Sequence, residues 1–364
     1  MIDFIPIEYY NLFYYNFLLL IVLFTWINAF GTPITAIKNL KNKHILGYFI
    51  LIVIIVYMGF RPISFVFGDM GAYSRSFASF ADGIPLGLGG DLGFNFFMML
   101  CAKVMTVNFF FFVCSSLYIL PLYLASKKLF QEYWFYSFFI LICSFSFWSY
   151  GTNGIRNGLA TSIMLLALAY SNKKIVMVAL MFVAISFHKS LALPVAAYLF
   201  TLFFKDSKKI LYFWILCIPI SIAAGGFFES LFASLGFDDE RISYLTSGNI
   251  NNDDFSSTGF RWDFLIYSAL PVYAGWYFIF KRKYKDIMYA QLFNIYLITN
   301  GFWILVIRAN FSNRFAYLSW FMMGIVIIYP LLKKQFFKNQ HKVLGTVLAL
   351  YFSFTYIMNV ILTQ

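Results

Sequence analysis

Residues 11–30 read NLFYYNFLLLIVLFTWINAF, and residues 210–228 read ILYFWILCIPISIAAGGFF. Neither stretch contains a charged side chain, and each is close to the ~20 apolar residues that a helix needs to cross a bilayer. Similar runs recur along the whole sequence. Of the 364 residues, 62% are hydrophobic and 12% are charged, whereas an ordinary soluble domain has about 25% charged residues. The sequence therefore predicts an all-α polytopic membrane protein.

The apolar runs predict about twelve membrane-spanning helices within a single integral membrane domain. Residues 92–126 are apolar enough for two crossings, but one crossing at 106–126 keeps Lys127 and Lys128 on the same side as the other lysine-rich loops. The domain covers residues 1–364, and its predicted spans are 11–30, 45–66, 106–126, 133–150, 153–171, 174–188, 190–204, 210–228, 262–280, 287–307, 314–332 and 343–361.

Lysine and arginine are distributed unequally over this topology. Cytoplasmic loops carry an excess of basic residues, so the lysine-rich loops are assigned to the cytoplasm and both termini to the outside. Eighteen basic residues then lie inside, 17 of them lysine, whereas seven of the nine outer ones are arginine. The net charge of +12 is thus explained by membrane topology, and nucleic acid is not an expected partner.

Two predicted outer loops are long enough to form a site. The loop at 67–105 includes a re-entrant or interfacial segment at 92–104, which protein or a water-filled cavity must cover. The loop at 229–261 is rich in Asn, Ser and Asp, a composition typical of a mobile lid.

The outer arginines are the first candidates for function. A guanidinium binds phosphate oxygens through a planar fork, and placing it in lipid costs about 2.5–3.5 kcal/mol. Arg61, Arg156 and Arg314 lie at or just inside predicted helix ends. They favour an outward-facing cavity for a phosphorylated substrate. The alternative is that the arginines pair with carboxylates or extend to lipid headgroups.

A general base could be a histidine or a carboxylate. His188 is the only histidine on the predicted outer side, at the end of an apolar helix, and its near-neutral pKa suits proton acceptance from a sugar hydroxyl. The rival candidates are Asp69, which follows Gly68, and Asp91, which opens the re-entrant segment. The residues leave this choice open. No nucleotide-binding motif or spaced metal ligands occur, so no cofactor or metal is expected.

Several short motifs follow one another between residues 61 and 320. They are Asp69-Met70-Gly71-Ala72-Tyr73, Asp91-Leu92-Gly93-Phe94, Arg156-Asn157-Gly158-Leu159-Ala160, Phe187-His188-Lys189-Ser190 and Asn313-Arg314-Phe315-Ala316-Tyr317. As an ordered set they resemble the EpsG/Wzy group of bacterial membrane polysaccharide polymerases.

The resemblance implies a reaction at the periplasmic face of the bacterial inner membrane, on oligosaccharides linked to undecaprenyl diphosphate. A growing chain on one lipid would be transferred to the terminal sugar hydroxyl of a repeat unit on another. The expected partners are this lipid-linked oligosaccharide, the lipid bilayer and a chain-length regulator protein. The expected diphosphate ligands are Arg61, Arg156, Arg308 and Arg314, and the expected substrate contacts are Tyr73, Arg75, Arg261 and Tyr317.

A flippase or transporter of an anionic or lipid-linked glycan is the alternative. In that case the arginines would hold the headgroup during passage and His188 would relay protons. Transporters often contain internal repeats, and this sequence shows none.

Overall fold

The computed structural model describes residues 2, 4–87, 89–234, 259–309 and 312–362. Within these ranges the chain is helical and contains no β-strand. Seven of the helices described there are long and apolar enough to cross a membrane, and four more are apolar but shorter. The prediction of an all-α polytopic membrane protein is confirmed.

The chain forms two compact units. The first unit comprises Met1–His188 and Leu331–Gln364, and the second comprises Lys189–Pro330. Each unit is described by itself below. The prediction of a single membrane domain stays a prediction.

The first unit contains ten α-helices among the described residues. They are α1 (Tyr10–Gly31), α2 (Ile37–Gly59), α3 (Met70–Ala81), α4 (Leu92–Ala102), α5 (Val107–Phe130), α6 (Trp134–Ile142), α7 (Phe147–Thr152), α8 (Ile155–Ala169), α9 (Lys174–Phe187) and α16 (Gln340–Tyr356). The unit packs around the long helix α5: α2 and α8 pack against α5, α9 packs against α8, and α1 packs against α16. Two shorter helices, α3 and α4, contact each other, and α4 also contacts α9.

Helix α2 begins and ends earlier than the predicted span at 45–66. Its first turns contain Lys43, which precedes the predicted span. The Lys43 side chain is buried, and its Nζ lies 5.0 Å from the Phe24 ring centre and 5.3 Å from that of Phe135. These cation–π contacts stabilise an ammonium inside the helix bundle, so the helix can extend toward the lysines.

The predicted span at 133–150 is interrupted after Ile142. Helix α6 can end inside the bundle because side chains from other helices satisfy its last carbonyls. Tyr14 donates to the Ile142 carbonyl at 2.8 Å, and Thr355 Oγ1 donates to the Cys143 carbonyl at 2.9 Å. Terminal helix carbonyls need such partners wherever water is excluded.

The described helices of the second unit are α10 (Ala192–Phe203), α11 (Ser207–Ser234), α12 (Trp262–Gly275, continued by a π-helical turn at Trp276–Lys281), α13 (Ile287–Leu305), α14 (Asn313–Trp320) and α15 (Met323–Lys333, the last three residues of which belong to the first unit). They pack mainly on α13, which contacts α10, α11, α12 and α14.

Buried polar side chains connect these helices. Asn300 on α13 donates to Ser319 Oγ on α14 at 3.0 Å and accepts from Trp214 Nε1 on α11 at 2.8 Å. A second connection is made where Trp320 Nε1 donates to Ser268 Oγ at 2.7 Å. In a bundle surrounded by lipid, interhelical hydrogen bonds and close packing replace the hydrophobic effect as the source of association.

Replacing Asn300 by Leu tests this arrangement. The substitution leaves the buried Trp214 N–H without its acceptor, so we expect the free energy of unfolding to fall by about 1–2 kcal/mol. Thermal unfolding of the protein purified in detergent measures the change. Asn172→Leu, in an exposed turn, is the control. Equal midpoints for the two variants would contradict the proposed contribution of Asn300.

Candidate functional site

Four of the predicted site residues meet in the first unit, and we refer to Tyr73, Asp91, Arg156 and His188 as the Asp91 cluster. Arg156 Nη1 lies 3.0 Å from Asp91 Oδ2, and Arg156 Nε donates to the Tyr73 hydroxyl at 3.3 Å. His188 Nδ1 lies 3.7 Å from the other carboxylate oxygen, Asp91 Oδ1. One carboxylate thus faces a guanidinium on one side and an imidazole on the other.

Each member of the cluster sits at or near a helix end. Asp91 directly precedes α4, where its carbonyl accepts the first intrahelical bond from Asn95 N–H at 3.0 Å. Arg156 lies in the first turn of α8. His188 follows α9 with an extended backbone, and its N–H donates to the Ala184 carbonyl. Tyr73 lies in α3, a helix the sequence analysis did not predict.

Gly93 explains how α4 and α9 come close enough for Asp91 to approach His188. A Cβ at position 93 would overlap the Ser186 side chain and lie 2.7 Å from the Ser186 carbonyl oxygen. Only a residue without a side chain fits there. The Gly-Phe pair two residues after Asp91 therefore has a packing function, because Gly93 allows the contact and Phe94 fills the space below it.

Phe94 belongs to an aromatic layer beneath the cluster. Its ring is fully buried and lies 5.6 Å from the Tyr73 ring and 6.1 Å from the Phe187 ring, edge to face in both cases. Phe97 stacks on Phe187 at 5.8 Å. This layer makes the surroundings of the Asp91 carboxylate apolar, which strengthens its interaction with Arg156.

The exposures of the charged side chains differ. Asp91 is 8% exposed, His188 19% and Arg156 30%. Burial raises the pKa of the Tyr73 phenol, with Arg156 opposing the shift and the Asp69 carboxylate adding to it. His188 Nδ1 is buried and makes no hydrogen bond to any described residue, since its distance of 3.7 Å from Asp91 Oδ1 exceeds hydrogen-bond length. A movement of under about 1 Å would close this gap.

Asp69 is held beside the cluster through its backbone. Gly68 has φ +62°, and a Cβ there would overlap the amide group of Asn153. That amide accepts a hydrogen bond from Asp69 N–H at 2.8 Å. Asn153 lies three residues before Arg156, so it connects the start of α3 to the start of α8. Asn153 was not among the predicted site residues, although it begins an Asn-Gly pair, which is typical of a turn.

Arg61 has a different environment from Arg156. It is 1% exposed, and its guanidinium donates to the Met58 carbonyl and, at 3.0 Å, to the Thr152 carbonyl. The rings of Phe67 and Phe111 lie 5.6 and 5.5 Å away. Burial lowers the pKa of Arg61 to about 10, which still leaves it charged at neutral pH. These contacts favour a structural role, in which Arg61 joins the end of α2 to the end of α7.

Of the remaining predicted residues, Arg75 belongs to the first unit and the others belong to the second unit. Arg75 is exposed on α3, with its guanidinium 5.4 Å from the Phe65 ring centre. In the second unit, Arg261 pairs with both Asp263 carboxylate oxygens, at 3.0 and 2.6 Å. Arg308 is exposed and donates to the Ile222 carbonyl at 3.4 Å.

The two candidates from the last sequence motif, Arg314 and Tyr317, lie in α14 of the second unit. Arg314 is partly exposed in its first turn, and Tyr317 is buried one turn later. Most of the predicted lid at 229–261, including its acidic run Asp238-Asp239-Glu240, lies outside the described residues. The predicted roles of all these residues stay predictions.

Taken together, the fold and the Asp91 cluster define a polytopic membrane protein with a charged site at helix ends. A family model described as the EpsG family matches residues 44–364, and the chain belongs to this family. The resemblance inferred from the motifs is confirmed. Family membership supports a polysaccharide polymerase role in the broad sense, of a glycosyltransferase-like kind. Comparison with curated proteins and with solved structures gives no significant match.

A double-mutant cycle tests the central ion pair. Asp91→Asn and Arg156→Gln each leave a partly buried group without its partner, so each should lower the free energy of unfolding. Because Arg156 is about one-third exposed, we expect a coupling free energy of only about 1 kcal/mol. The measurement is thermal unfolding of the two single variants and the double variant. Asp82→Asn, at an exposed position, is the control; strictly additive effects would contradict the pair.

Proposed function

We propose that this protein is a glycosyltransferase that polymerises oligosaccharide repeat units linked to undecaprenyl diphosphate. In this proposal the reaction occurs on the periplasmic face of the bacterial inner membrane, with the Asp91 cluster as part of the active site. Family membership and the predicted outer location of the arginines support the proposal. The observation that carries it is the position of Asp91 between Arg156 and His188.

Arg156 is the proposed ligand of the donor diphosphate. Its guanidinium is 30% exposed, while Asp91 and Tyr73 fix its orientation from the protein side. Because the guanidinium is already held in one orientation, binding phosphate oxygens costs less side-chain conformational entropy. It can also stabilise the negative charge that grows on the leaving diphosphate, which is the main electrostatic requirement of the transfer.

His188 is the proposed general base and Asp91 its positioning residue. With Nδ1 directed toward Asp91, the imidazole presents Nε2 at the opposite edge of the ring. The carboxylate would stabilise the imidazolium formed on proton transfer. The alternative from the sequence, in which Asp91 or Asp69 is itself the base, is less well supported for Asp91 because one of its carboxylate oxygens is already paired with the Arg156 guanidinium.

The proposed step is the transfer of a glycosyl group from the donor diphosphate to the acceptor hydroxyl. The acceptor hydroxyl oxygen forms a bond to the anomeric carbon of the donor sugar, and the bond from that carbon to the diphosphate oxygen breaks. The diphosphate leaves with the bonding electron pair, and the hydroxyl proton passes to His188 Nε2. The activated diphosphate supplies the driving force, so the step uses no nucleotide.

Arg314 belongs to the second unit and stays a predicted diphosphate ligand on the basis of its motif; it is partly exposed in α14. On sequence grounds, Arg308 stays a predicted diphosphate ligand, and Arg75, Arg261 and Tyr317 stay predicted substrate contacts. Arg61 is left out of the proposed binding site because its guanidinium is buried against backbone carbonyls. A chain-length regulator remains a proposed partner.

Complementation in the native host tests the function. A strain lacking the gene receives the wild type, Arg156→Lys, Arg314→Lys or His188→Gln, and surface glycan is separated by length on a gel. We expect the wild type to restore a ladder and the three variants to yield mainly single repeat units. Arg282→Lys and His44→Gln, both on the predicted cytoplasmic side, are the matched controls and should restore the ladder.

Two outcomes of this experiment would contradict the proposal. Normal ladders from both arginine variants would exclude them as diphosphate ligands. Loss of all surface glycan in the deletion strain, with lipid-linked repeat units retained on the cytoplasmic leaflet, would indicate a flippase instead of a polymerase.

Steady-state kinetics of the purified protein distinguish effects on substrate binding from effects on the chemical step. With a synthetic lipid-diphosphate oligosaccharide as substrate, His188→Gln should lower kcat by about 10²–10⁴-fold and leave KM nearly unchanged, because it removes proton transfer only. Arg156→Lys should raise KM and lower kcat together, since it weakens both donor binding and leaving-group stabilisation. A His188 variant with wild-type kcat would exclude this histidine as the base.

A further inference from the structure

A cavity of about 520 Å³ lies in the first unit, at the opposite end of α1 from the N-terminus. One wall is formed by residues 29–35 at the end of α1, and the other by residues 331–342, which join α15 to α16. None of the candidate site residues lines it. The cavity is on the side that the lysine distribution assigns to the cytoplasm.

The lining of the cavity is strongly basic. Lys334, Lys338 and Lys342 contribute three ammonium groups, and Lys333 and His341 also line it. No acidic residue belongs to the lining, and among the described residues no carboxylate lies within ion-pair distance of Lys334, Lys338 or Lys342. Several like charges around one cavity repel each other, and a bound anion would relieve this repulsion.

The basic wall is built on a fixed segment. The buried side chain of Gln340 donates to the carbonyls of Leu331 and Lys334, at 2.6 and 2.8 Å. Its carbonyl oxygen accepts from Phe336 N–H at 2.6 Å and from Phe337 N–H at 3.4 Å. One glutamine thus organises the whole turn that carries Lys333, Lys334 and Lys338, so these lysines are held near one another before any ligand binds.

His341 attaches this segment to the opposite wall. It is buried, its Nδ1 contacts the Thr32 carbonyl at the end of α1, and its Nε2 lies 2.7 Å from the Tyr136 hydroxyl on α6. Since a carbonyl can only accept, Nδ1 carries the proton. The two walls of the cavity are therefore hydrogen-bonded to each other, and the space between them is part of the folded structure.

The apolar surface next to the cavity indicates the source of the anion. Phe30 lines the cavity and is 52% exposed, and Leu20, Phe24 and Ile27 continue the same exposed face of α1 at helical spacing. A lipid with its headgroup in the cavity would lay its acyl chains along this face. Basic pockets at the cytoplasmic ends of membrane helices recognise anionic headgroups in this way.

We propose that this cavity binds the phosphate of an anionic phospholipid headgroup, through Lys334, Lys338 and Lys342. The proposal does not depend on the proposed polymerase reaction, because it uses other residues and another region of the first unit. A lipid bound here would contact α1 and the turn before α16 simultaneously and would stabilise their association.

The test is the thermal unfolding midpoint of the full chain in a neutral detergent, titrated with phosphatidylglycerol. We expect a saturable rise in the midpoint for the wild type and none with phosphatidylcholine. The triple variant K334Q/K338Q/K342Q should need at least about tenfold more phosphatidylglycerol for half of the effect. The matched control, K281Q/K283Q/K285Q, removes the same charge from another lysine-rich loop and should behave as the wild type.

A charge-preserving variant distinguishes the loss of positive charge from a loss of folding as the cause of weakened lipid binding. K334R/K338R/K342R should retain the phosphatidylglycerol effect. Equal weakening in the two glutamine variants would mean that overall charge attracts the lipid, and would overturn the proposal. So would an equal rise in the midpoint with inorganic phosphate or glycerol phosphate alone, which would indicate a site for a soluble phosphorylated molecule.

Discussion

The ion pair between Arg156 and Asp91 is the interaction around which the first unit organises its charged site. Asp91 is only 8% exposed and rests on an aromatic layer, so an ionised carboxylate there requires a close positive partner. Arg156 provides that partner 3.0 Å away and contacts Tyr73 at the same time. Three helices, α3, α4 and α8, are thereby held together by one guanidinium, and α9 brings His188 to the remaining carboxylate oxygen. Removing either charge would disturb all four helices.

Small residues and amides make this arrangement possible. Gly93 allows α4 to approach Ser186 on α9, and Gly68 allows the start of α3 to approach Asn153. The Asn153 amide then accepts from Asp69 N–H. None of these residues carries charge, yet each determines a distance within the site. A site built in this way would be sensitive to packing substitutions at residues that are not themselves part of the Asp91 cluster.

The two ends of the first unit use their basic residues differently. At the Asp91 cluster, an arginine is oriented by a carboxylate and a phenol, which suits directional recognition of a diphosphate. At the cavity between α1 and α16, lysines are presented on a turn that Gln340 organises, which suits the less directional attraction of a lipid phosphate. The lysine-to-arginine sorting observed in the sequence thus corresponds to two kinds of anion chemistry in the proposals.

Much of the fold could be predicted because the bilayer imposes a simple requirement on composition and length. Helix α1 was predicted as 11–30 and is Tyr10–Gly31, and α9 was predicted as 174–188 and is Lys174–Phe187. The interruption after Ile142 could not be predicted, since it depends on hydroxyl groups of Tyr14 and Thr355 that are distant in sequence. Sequence also singled out Asp91, Arg156 and His188, through charge sorting and the ordered motifs.

By itself, then, the sequence determined the all-helical membrane class, the family and the residue types available for chemistry, because these follow from local composition and from motifs read along the chain. The tertiary structure decided that Arg156 pairs with Asp91 while Arg61 is buried against carbonyls, and that Asn153 and Gln340 position what surrounds them. Those outcomes depend on distances between helices far apart in sequence, and such distances are fixed by side-chain packing, which no local pattern encodes.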